Sequence, residues 1–284
     1  MKLCQSVAVP LYEISQILDI PPIPTHASAC LANWAKINSD EEWSAENLDI
    51  ISFRFRNGRG NAWFFVNTAQ IEKNLAAAIV AIASLTDKKE NGGIIFNHEY
   101  QDCFEIIKDG LSAAGDTIGL SFRNFKNHLA TDEFYHGFRR FMTGYTNGPF
   151  KDQGGLIFEG LEHLGPLPIN GASAAQSPTI QTVDAFLKIS HKADSNIFLM
   201  EQRDFMLRPH RKFIEWVEKN ASDDVKHIPG YDEVVAALCV FRNLHIRLVA
   251  SYIITAKKRN SATHGTGGTS FMLFLKDVRD DCRC

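Results

Sequence analysis

A histidine within a long amphipathic segment near the carboxyl end is the first residue whose position could support chemistry. From Leu238, the residues Phe241, His245, Leu248 and Tyr252 follow at helical spacing and form one apolar stripe. This spacing predicts a helix with the imidazole on its buried face. A buried histidine is often a core residue hydrogen-bonded to a neighbour, but a neutral imidazole on a rigid helix also holds haem iron in many proteins. The spacing leaves both interpretations open.

A second candidate is an arginine pair inside the aromatic segment FYHGFRRFMTGY. Helical spacing places Phe134, Phe138 and Phe141 near one face, so Arg139 and Arg140 cannot both point to solvent. An arginine held among aromatic rings can bind a carboxylate in bidentate geometry beside a flat apolar ligand. A surface ion pair next to an aromatic core is an equally good interpretation of this pattern.

The stretch THGTGGTSFM contains three glycines among hydroxyl residues, and an apolar run follows it directly. Phosphate-binding loops need a lysine after the last glycine or a strand before the first, and this stretch has neither. Residues 263–270 are therefore predicted to form a lid over a ligand or a simple connector. Ser173, in the loop NGASAAQS, is similarly a loop hydroxyl or a helix N-cap.

The elements that must position these residues are predicted to be helical. Apolar residues recur at three- and four-residue intervals in most long segments, among them ACLANWAKI, and only NLDIISFRF and NAWFFVN suggest strands. Internal repeats and low-complexity tracts are absent from the sequence. We therefore expect an all-α protein in which residues 1–284 form a single domain.

Composition restricts the classes of partner. The 284 residues are 45% hydrophobic and 22% charged with a formal net charge of −3, which fits a globular protein without the basic field that attracts nucleic acid or anionic membranes. The six cysteines lack zinc-site spacing, and the closing CRC is expected to be an incidental pair of thiols. Without a secretory leader or an apolar run long enough to span a bilayer, the expected location is cytoplasmic. The expected partner is a small molecule or another protein.

Eight stretches, in this order, resemble the indoleamine 2,3-dioxygenase family. They are VAVPLYEISQILDIPPIPTHASACLANW, SFRF with WFFVNT, FYHGFRRFMTGY, GLIFEGL, NGASAAQS, MLRPHRKF, FRNLHIRLVASYI and GTGGTSFMLFLKDVR. The resemblance runs from about Val7 to Arg279. It implies the large helical haem-binding domain of that family, with the family's smaller N-terminal helical domain absent from this chain.

The resemblance also assigns roles around a haem b group. His245 matches the proximal ligand of the iron, Arg242 matches an arginine near a haem propionate, and Asp184 matches its acidic partner. Such a pair would order the helix that carries the ligand. Ser173 and Ala174 match small residues that lie over the haem.

On the distal side, the resemblance assigns residues to the substrate. The substrate-binding positions are Phe64, Phe134, Tyr135, Arg139 and Thr266. The aromatic residues would form the pocket, Arg139 would hold the substrate carboxylate, and Thr266 would lie in the lid near the polar groups of the amino acid. Thr68 matches a small hydroxyl residue that is at most a hydrogen-bond partner.

The implied reaction inserts both atoms of O2 across the C2–C3 bond of tryptophan or a related indole. It yields an N-formylkynurenine-type product in the kynurenine pathway of tryptophan catabolism, and an electron donor keeps the iron ferrous. No strong protein acid or base is required. The protein contributes orientation, exclusion of water and placement of the carboxylate.

Three departures from the family keep alternatives open. The absent small domain implies a more open distal pocket, or one covered by another chain or an oligomer. His26 replaces a tyrosine and could donate a proton to iron-bound oxygen, whereas Cys30 replaces an aliphatic residue of the same wall. The alternatives are a haem oxygenase of secondary metabolism that singly oxygenates or rearranges an indole, and a non-catalytic haem-binding protein.

Overall fold

Helices form the body of the protein, which a computed structural model describes for residues 1–55, 59–123, 129–254 and 270–283. The all-α prediction is confirmed for these residues. The α-helices are α1 (Gln5–Leu18), α2 (Arg59–Asn74), α3 (Ala76–Glu90), α4 (Asn97–Arg123), α5 (Pro178–Phe186), α6 (Ala193–Arg203), α7 (Arg208–Asn220), α8 (Tyr231–Val249) and α9 (Phe271–Asp280).

Within the described ranges, four two-residue strands form two small pairs. Strand β1 (Lys2–Leu3) pairs in parallel with β4 (Ile157–Phe158), and β2 (Ala35–Lys36) pairs in antiparallel with β3 (Leu48–Asp49). Of the two stretches that suggested strands, NLDIISFRF contains β3, whereas NAWFFVN lies wholly in α2. A helix with buried residues on more than one side has no clear amphipathic period, which explains the strand-like pattern.

One predicted helix is wrong. The stretch ACLANWAKI is not one helix. Its first three residues belong to a π-helical turn over Ala27–Leu31, and Ala35–Lys36 near its end form β2. Pairing with β3, which is distant in sequence, determines the extended conformation here, so local spacing could not predict it.

The main core lies where α4 packs along α8. It contains Phe104, Ile107 and Leu111 from α4 and Val234 and Leu238 from α8, each at most 2% exposed. A second core cluster is aromatic and joins α2 to residues that follow α4 and α8. Two hydrophobic clusters therefore meet along the same long helix.

Helix α8 and the π-helical turn after it (Ala250–Ile254) carry the predicted stripe. Leu238, Phe241 and Tyr252 are buried, and His245 and Leu248 are partly buried, so the amphipathic prediction is confirmed. By length and composition alone, Tyr231–Ile253 would also fit a membrane span, a criterion that the core helices of globular proteins meet as well. Here one face of the helix packs in the main core.

Candidate functional site

The predicted substrate aromatics form one cluster. The ring centroid of Phe64 in α2 lies 5.5 Å from that of Phe134, and the centroid of Phe134 lies 5.4 Å from that of Tyr252 in a T-shaped pair. Phe138 completes the cluster with its centroid 5.5 Å from that of Phe64. Edge and tilted contacts of this kind are the favoured geometry for aromatic rings. They bring α2, the Phe134 segment and the end of the α8 stripe together.

The backbone of the arginine segment is not a regular α-helix. Glu133–Phe138 is π-helical and Arg139–Met142 is a 3-10 helix. This change of winding turns Phe141 away from the face predicted for it, so that it is exposed and stacks on Phe55 at 5.7 Å. The predicted shared face therefore holds for Phe134 and Phe138 but not for Phe141.

The two arginines separate as predicted. Arg139 is only 8% exposed, with its guanidinium carbon 5.7 Å from the centroid of the Tyr135 ring, whereas Arg140 is exposed beside Phe141. Burial lowers the pKa of Arg139, and Tyr135 only partly offsets this effect. A buried guanidinium interacts more strongly with a nearby anion than an exposed one does.

The NGASAAQS loop is held against the arginine segment through its backbone. A Cβ atom at Gly171 would lie 1.8 Å from the carbonyl oxygen of Met142, and Gly144, with φ +70°, bridges Asn170. Only glycine permits this approach. The two glycines thus place the loop that carries Ser173 beside the end of the 3-10 helix that begins at Arg139.

Ser173 and Ala174 begin a short 3-10 helix in this loop. The Ser173 side chain accepts a hydrogen bond of 3.2 Å from the amide of Ala175, so the N-cap interpretation is confirmed, and Ala174 is exposed. Both side chains are small, as a position over a haem would require. Their contact with haem stays a prediction.

Thr68 uses its hydroxyl hydrogen within its own helix. Its Oγ1 donates a hydrogen bond of 2.8 Å to the carbonyl oxygen of Phe64, one turn earlier. While this bond is formed, the oxygen lone pairs stay available and the side chain can accept a hydrogen bond from a ligand. This agrees with a residue that orients a ligand rather than one that transfers a proton.

His245 lies seven residues before Tyr252 on the same stripe. Within the described part of the chain its imidazole forms no hydrogen bond, and burial lowers its pKa to about 4. It is therefore neutral near pH 7 with its ring nitrogens unused. The interpretation as a hydrogen-bonded core histidine finds no partner here, and a neutral, unpartnered imidazole fits an axial ligand of haem iron.

Arg242 and Asp184 form the predicted ion pair. Nη2 of Arg242 lies 2.6 Å from both carboxylate oxygens of Asp184, and both side chains are buried. Burial raises the pKa of Asp184, but the charges of Arg242 and His191 outweigh this and hold it below its usual range. The pair links α5 to α8 one turn before His245.

Sequence reasoning missed the rest of this network. His191 bridges Asp184 and Asp281 at 3.2 Å on each ring nitrogen, and Arg242 also donates to the carbonyl of Val278 and to the sulfur of Cys282. Cys282 is buried, so it is not an incidental thiol at the chain end as expected. The only signal in the sequence was an acidic pair and a cysteine in a polar tail, which is typical of many solvated termini.

His26 is placed against a carboxylate. Its Nε2 lies 2.9 Å from Oε1 of Glu72, and its backbone N–H donates to Oε1 of Gln176. The side-chain Nε2 of Gln176 in turn donates to the backbone carbonyl of Gly171. Burial lowers the pKa of His26, but Cys30 and Glu72 outweigh it and raise the pKa to about 10. The imidazole is therefore a protonated partner of Glu72 near neutral pH.

Two predictions concern residues that the structure does not describe. Thr266 and nearly all of the predicted lid over 263–270 lie outside the described residues. Among the described residues, no group of three or more His, Cys, Asp or Glu side chains could hold a metal ion. A single histidine suffices for haem iron, because the porphyrin supplies four further ligands.

A family profile and several relatives match this chain over nearly its whole length. The sequence profile described as "Indoleamine 2,3-dioxygenase" matches residues 1–283. Indoleamine 2,3-dioxygenase 2 from Homo sapiens is 31% identical over 301 aligned residues, covering 97% of this chain and 71% of the relative. Its counterpart from Mus musculus is 32% identical with the same coverages. A protein named myoglobin from Haliotis diversicolor is 29% identical, covering 99% of this chain and 73% of the relative.

Proposed function

Because this chain belongs to the indoleamine 2,3-dioxygenase family, we propose that it inserts both atoms of O2 across the C2–C3 bond of tryptophan or a related indole. Members of this family are haem-dependent oxidoreductases, and haem b is the cofactor of this chain. The proposed product is ring-opened, of the N-formylkynurenine type. An electron donor that keeps the iron ferrous belongs to the proposal.

The observation that carries this proposal is the combination of His245 with the aromatic cluster. A neutral, unpartnered imidazole stands on the same stripe as Tyr252, which contacts Phe134 in the cluster, and Arg139 is buried beside that cluster. His245 suits iron, whereas the aromatic cluster with Arg139 suits a flat ligand that bears a carboxylate.

Each of the chain's own groups has a distinct task. Ferrous haem, when bound, supplies the O2-binding iron. His245 would hold the iron through a neutral ring nitrogen, and the Arg242–Asp184 pair keeps that part of α8 in place. The rings of Phe64 and Phe134 would orient the indole and exclude water.

The polar groups of the site orient the substrate and do not transfer protons. Arg139 would bind the carboxylate with charge-assisted hydrogen bonds, which are strengthened by its dry surroundings. While Thr68 donates to the carbonyl oxygen of Phe64, it would accept a hydrogen bond from an N–H group of the substrate. The proposed reaction therefore needs no general acid or base from these residues.

Mass spectrometry of the product after reaction with isotopically labelled O2 tests this proposal. The haem-loaded, reduced protein is mixed with L-tryptophan, and His245→Ala serves as the control. Two labelled oxygens in a ring-opened product are expected. One labelled oxygen would contradict dioxygenation and favour single oxygenation, with His26, which contacts Glu72 through Nε2, as the candidate proton donor.

A second candidate function is reversible binding of O2 without turnover. The similarity to the Haliotis diversicolor protein favours this candidate, because that relative is named myoglobin, a name used for proteins that bind O2 reversibly. Stable O2 binding by the reduced protein, with no product from L-tryptophan or simple indoles, would support this candidate over the enzyme.

A further inference from the structure

A cavity of about 650 Å³ opens beside α2. Its walls are largely apolar and come from Leu31, Trp34, Ile79 and Phe213, with the edge of Trp34 against Trp43 at a centroid distance of 4.1 Å. Cavities of this size and lining are typical of sites for small organic ligands. The flat rings of Trp34 and Phe213 in these walls favour a planar aromatic guest.

Three polar atoms in the walls of this cavity lack partners. Nε1 of Trp43, Oε2 of Glu72 and Nδ1 of His210 are buried, and each forms no hydrogen bond within the part of the chain that the structure describes. A buried polar atom without a partner costs about 1–3 kcal/mol. Three such atoms in the walls of one cavity indicate that something else completes their hydrogen bonds.

The indole of Trp43 stands out from comparable tryptophans. Trp34 donates its Nε1–H to the carbonyl of Leu31, and Trp216 donates to the carboxylate of Glu90. Buried tryptophan N–H groups usually find such an acceptor. Trp43 therefore offers a donor that the described fold leaves unused.

Only one of the two carboxylate oxygens of Glu72 has a hydrogen-bond partner among the described residues. Oε1 pairs with His26 at 2.9 Å, and the Glu72 side chain is only 10% exposed. Burial raises the pKa of Glu72, but His26 outweighs it, and the nearby hydroxyls of Ser177 and Thr179 lower the pKa further. Neither hydroxyl reaches Oε2 in hydrogen-bond geometry, so this atom remains an acceptor for a donor in the cavity.

The net charge around the cavity favours a neutral guest. The protonated His26 cancels the charge of Glu72, and burial lowers the pKa of His210, so this second imidazole is neutral near pH 7. Lys73 also borders the cavity but is exposed. A charged ligand would lose its hydration and gain no unpaired buried counter-charge in return.

The cavity has different lining residues from the proposed haem and substrate positions. Along α2, Ala69, Glu72 and Lys73 line it: helical spacing places Ala69 and Lys73 on the side away from Phe64, whereas Glu72 lies one turn after Thr68. None of the residues assigned above to haem, iron or substrate lines it. Cys30, Trp34 and Trp43 line the cavity and also pack in or against the aromatic cluster, so the two regions are neighbours.

From these observations we propose that this cavity is a second ligand site, which binds a neutral planar aromatic molecule carrying an N–H donor and a carbonyl acceptor. The N–H group donates to Oε2 of Glu72, and the carbonyl accepts from Nε1–H of Trp43. Aryl lactams and aryl amides have this chemistry. The site does not depend on the reaction proposed above.

Oxindole is a suitable probe, because it is flat and neutral and carries both groups. N-methyloxindole lacks the donor, and indane lacks both groups. The Trp43 ¹⁵N–H signal is followed by NMR in the reduced, CO-bound protein, which is diamagnetic, or in the iron-free protein if no haem is taken up. Its assignment comes from Trp43→Phe.

Oxindole is expected to shift the Trp43 signal saturably and to bind at least about tenfold more tightly than N-methyloxindole. Trp43→Phe keeps an aromatic wall but removes the donor, so calorimetry should show about tenfold weaker binding. Trp216→Phe is the matched control and should bind as the wild type does. Ile79→Trp fills the cavity and should abolish binding.

Phe64→Ala and Arg139→Ala separate this site from the substrate pocket and should leave the Trp43 shift unchanged. The proposal is overturned by equal affinities for oxindole and N-methyloxindole, or by the absence of a shift up to the solubility limit. It is also overturned if Phe64→Ala removes the shift, because the probe would then occupy the substrate pocket. The absence of a shift would indicate that water fills the cavity, because water can also bridge the unpaired atoms of Trp43, Glu72 and His210.

Discussion

Nη2 of Arg242 lies 2.6 Å from each carboxylate oxygen of Asp184, and this buried pair stands one helical turn before His245. The same aspartate contacts His191, which in turn contacts Asp281. Helix α8 is thereby tied to α5 and to the segment after α9. The candidate iron ligand is positioned by ionic contacts that reach across the sequence.

Removal of one partner from this pair should destabilise the fold strongly. Asp184→Asn leaves Arg242 buried without its counter-charge, and we expect a loss of about 3–5 kcal/mol in the free energy of unfolding, measured with urea on the haem-free protein. Asp223→Asn is the control, because Asp223 is 95% exposed in its ion pair with Lys188 and should cost at most about 1 kcal/mol. Equal losses in the two variants would contradict the structural role of the buried pair.

Replacement of His245 should remove the histidine-ligated haem spectrum. His245→Ala deletes the neutral imidazole that would bind the iron, so stable haem incorporation should be lost, as measured by the Soret absorption after reconstitution. His163→Ala changes an exposed histidine and should leave the spectrum unchanged. An unaltered spectrum in His245→Ala would rule out this residue as the ligand.

Arg139 should discriminate between substrates by their carboxylate. Arg139→Ala should weaken binding of the amino acid by about tenfold to a hundredfold, while an indole without a carboxylate should be little affected. Arg140→Ala, at the exposed neighbouring position, is the matched control. The measurement is the dissociation constant of each ligand from spectral titration, and equal losses for both ligands would argue against a carboxylate clamp.

The ion pair of His26 with Glu72 should contribute to stability in a pH-dependent manner. The pKa of His26 is raised from 6.5 to about 10 on folding, so its contribution is complete below pH 6.5 and is lost as the pH rises towards 10. His26→Asn should therefore reduce the free energy of unfolding most at pH 6 and least above pH 10. Urea denaturation of both proteins at pH 6, 8 and 10.5 measures this difference, and a constant difference would exclude a protonated His26 in the native state.

The sequence alone determined the helical class, the α8 stripe and the assignment of Arg139 and Arg140 to different environments. Each follows from the periodicity of a helix and from the cost of burying charge, which are properties of neighbouring residues. The family resemblance likewise depends on the order of motifs along the chain. The profile match over residues 1–283 confirms it.

Tertiary structure decided the features that depend on distant residues. His26 pairs with Glu72, which is 46 residues away, and His191 contacts Asp281, which is 90 residues away. Cys282 is buried against Arg242, 40 residues earlier in the chain. The cavity with the unpaired Trp43 nitrogen is likewise created by packing between separate segments. Such contacts leave no periodic trace in the sequence, because their energy depends on three-dimensional distance and burial rather than on local spacing.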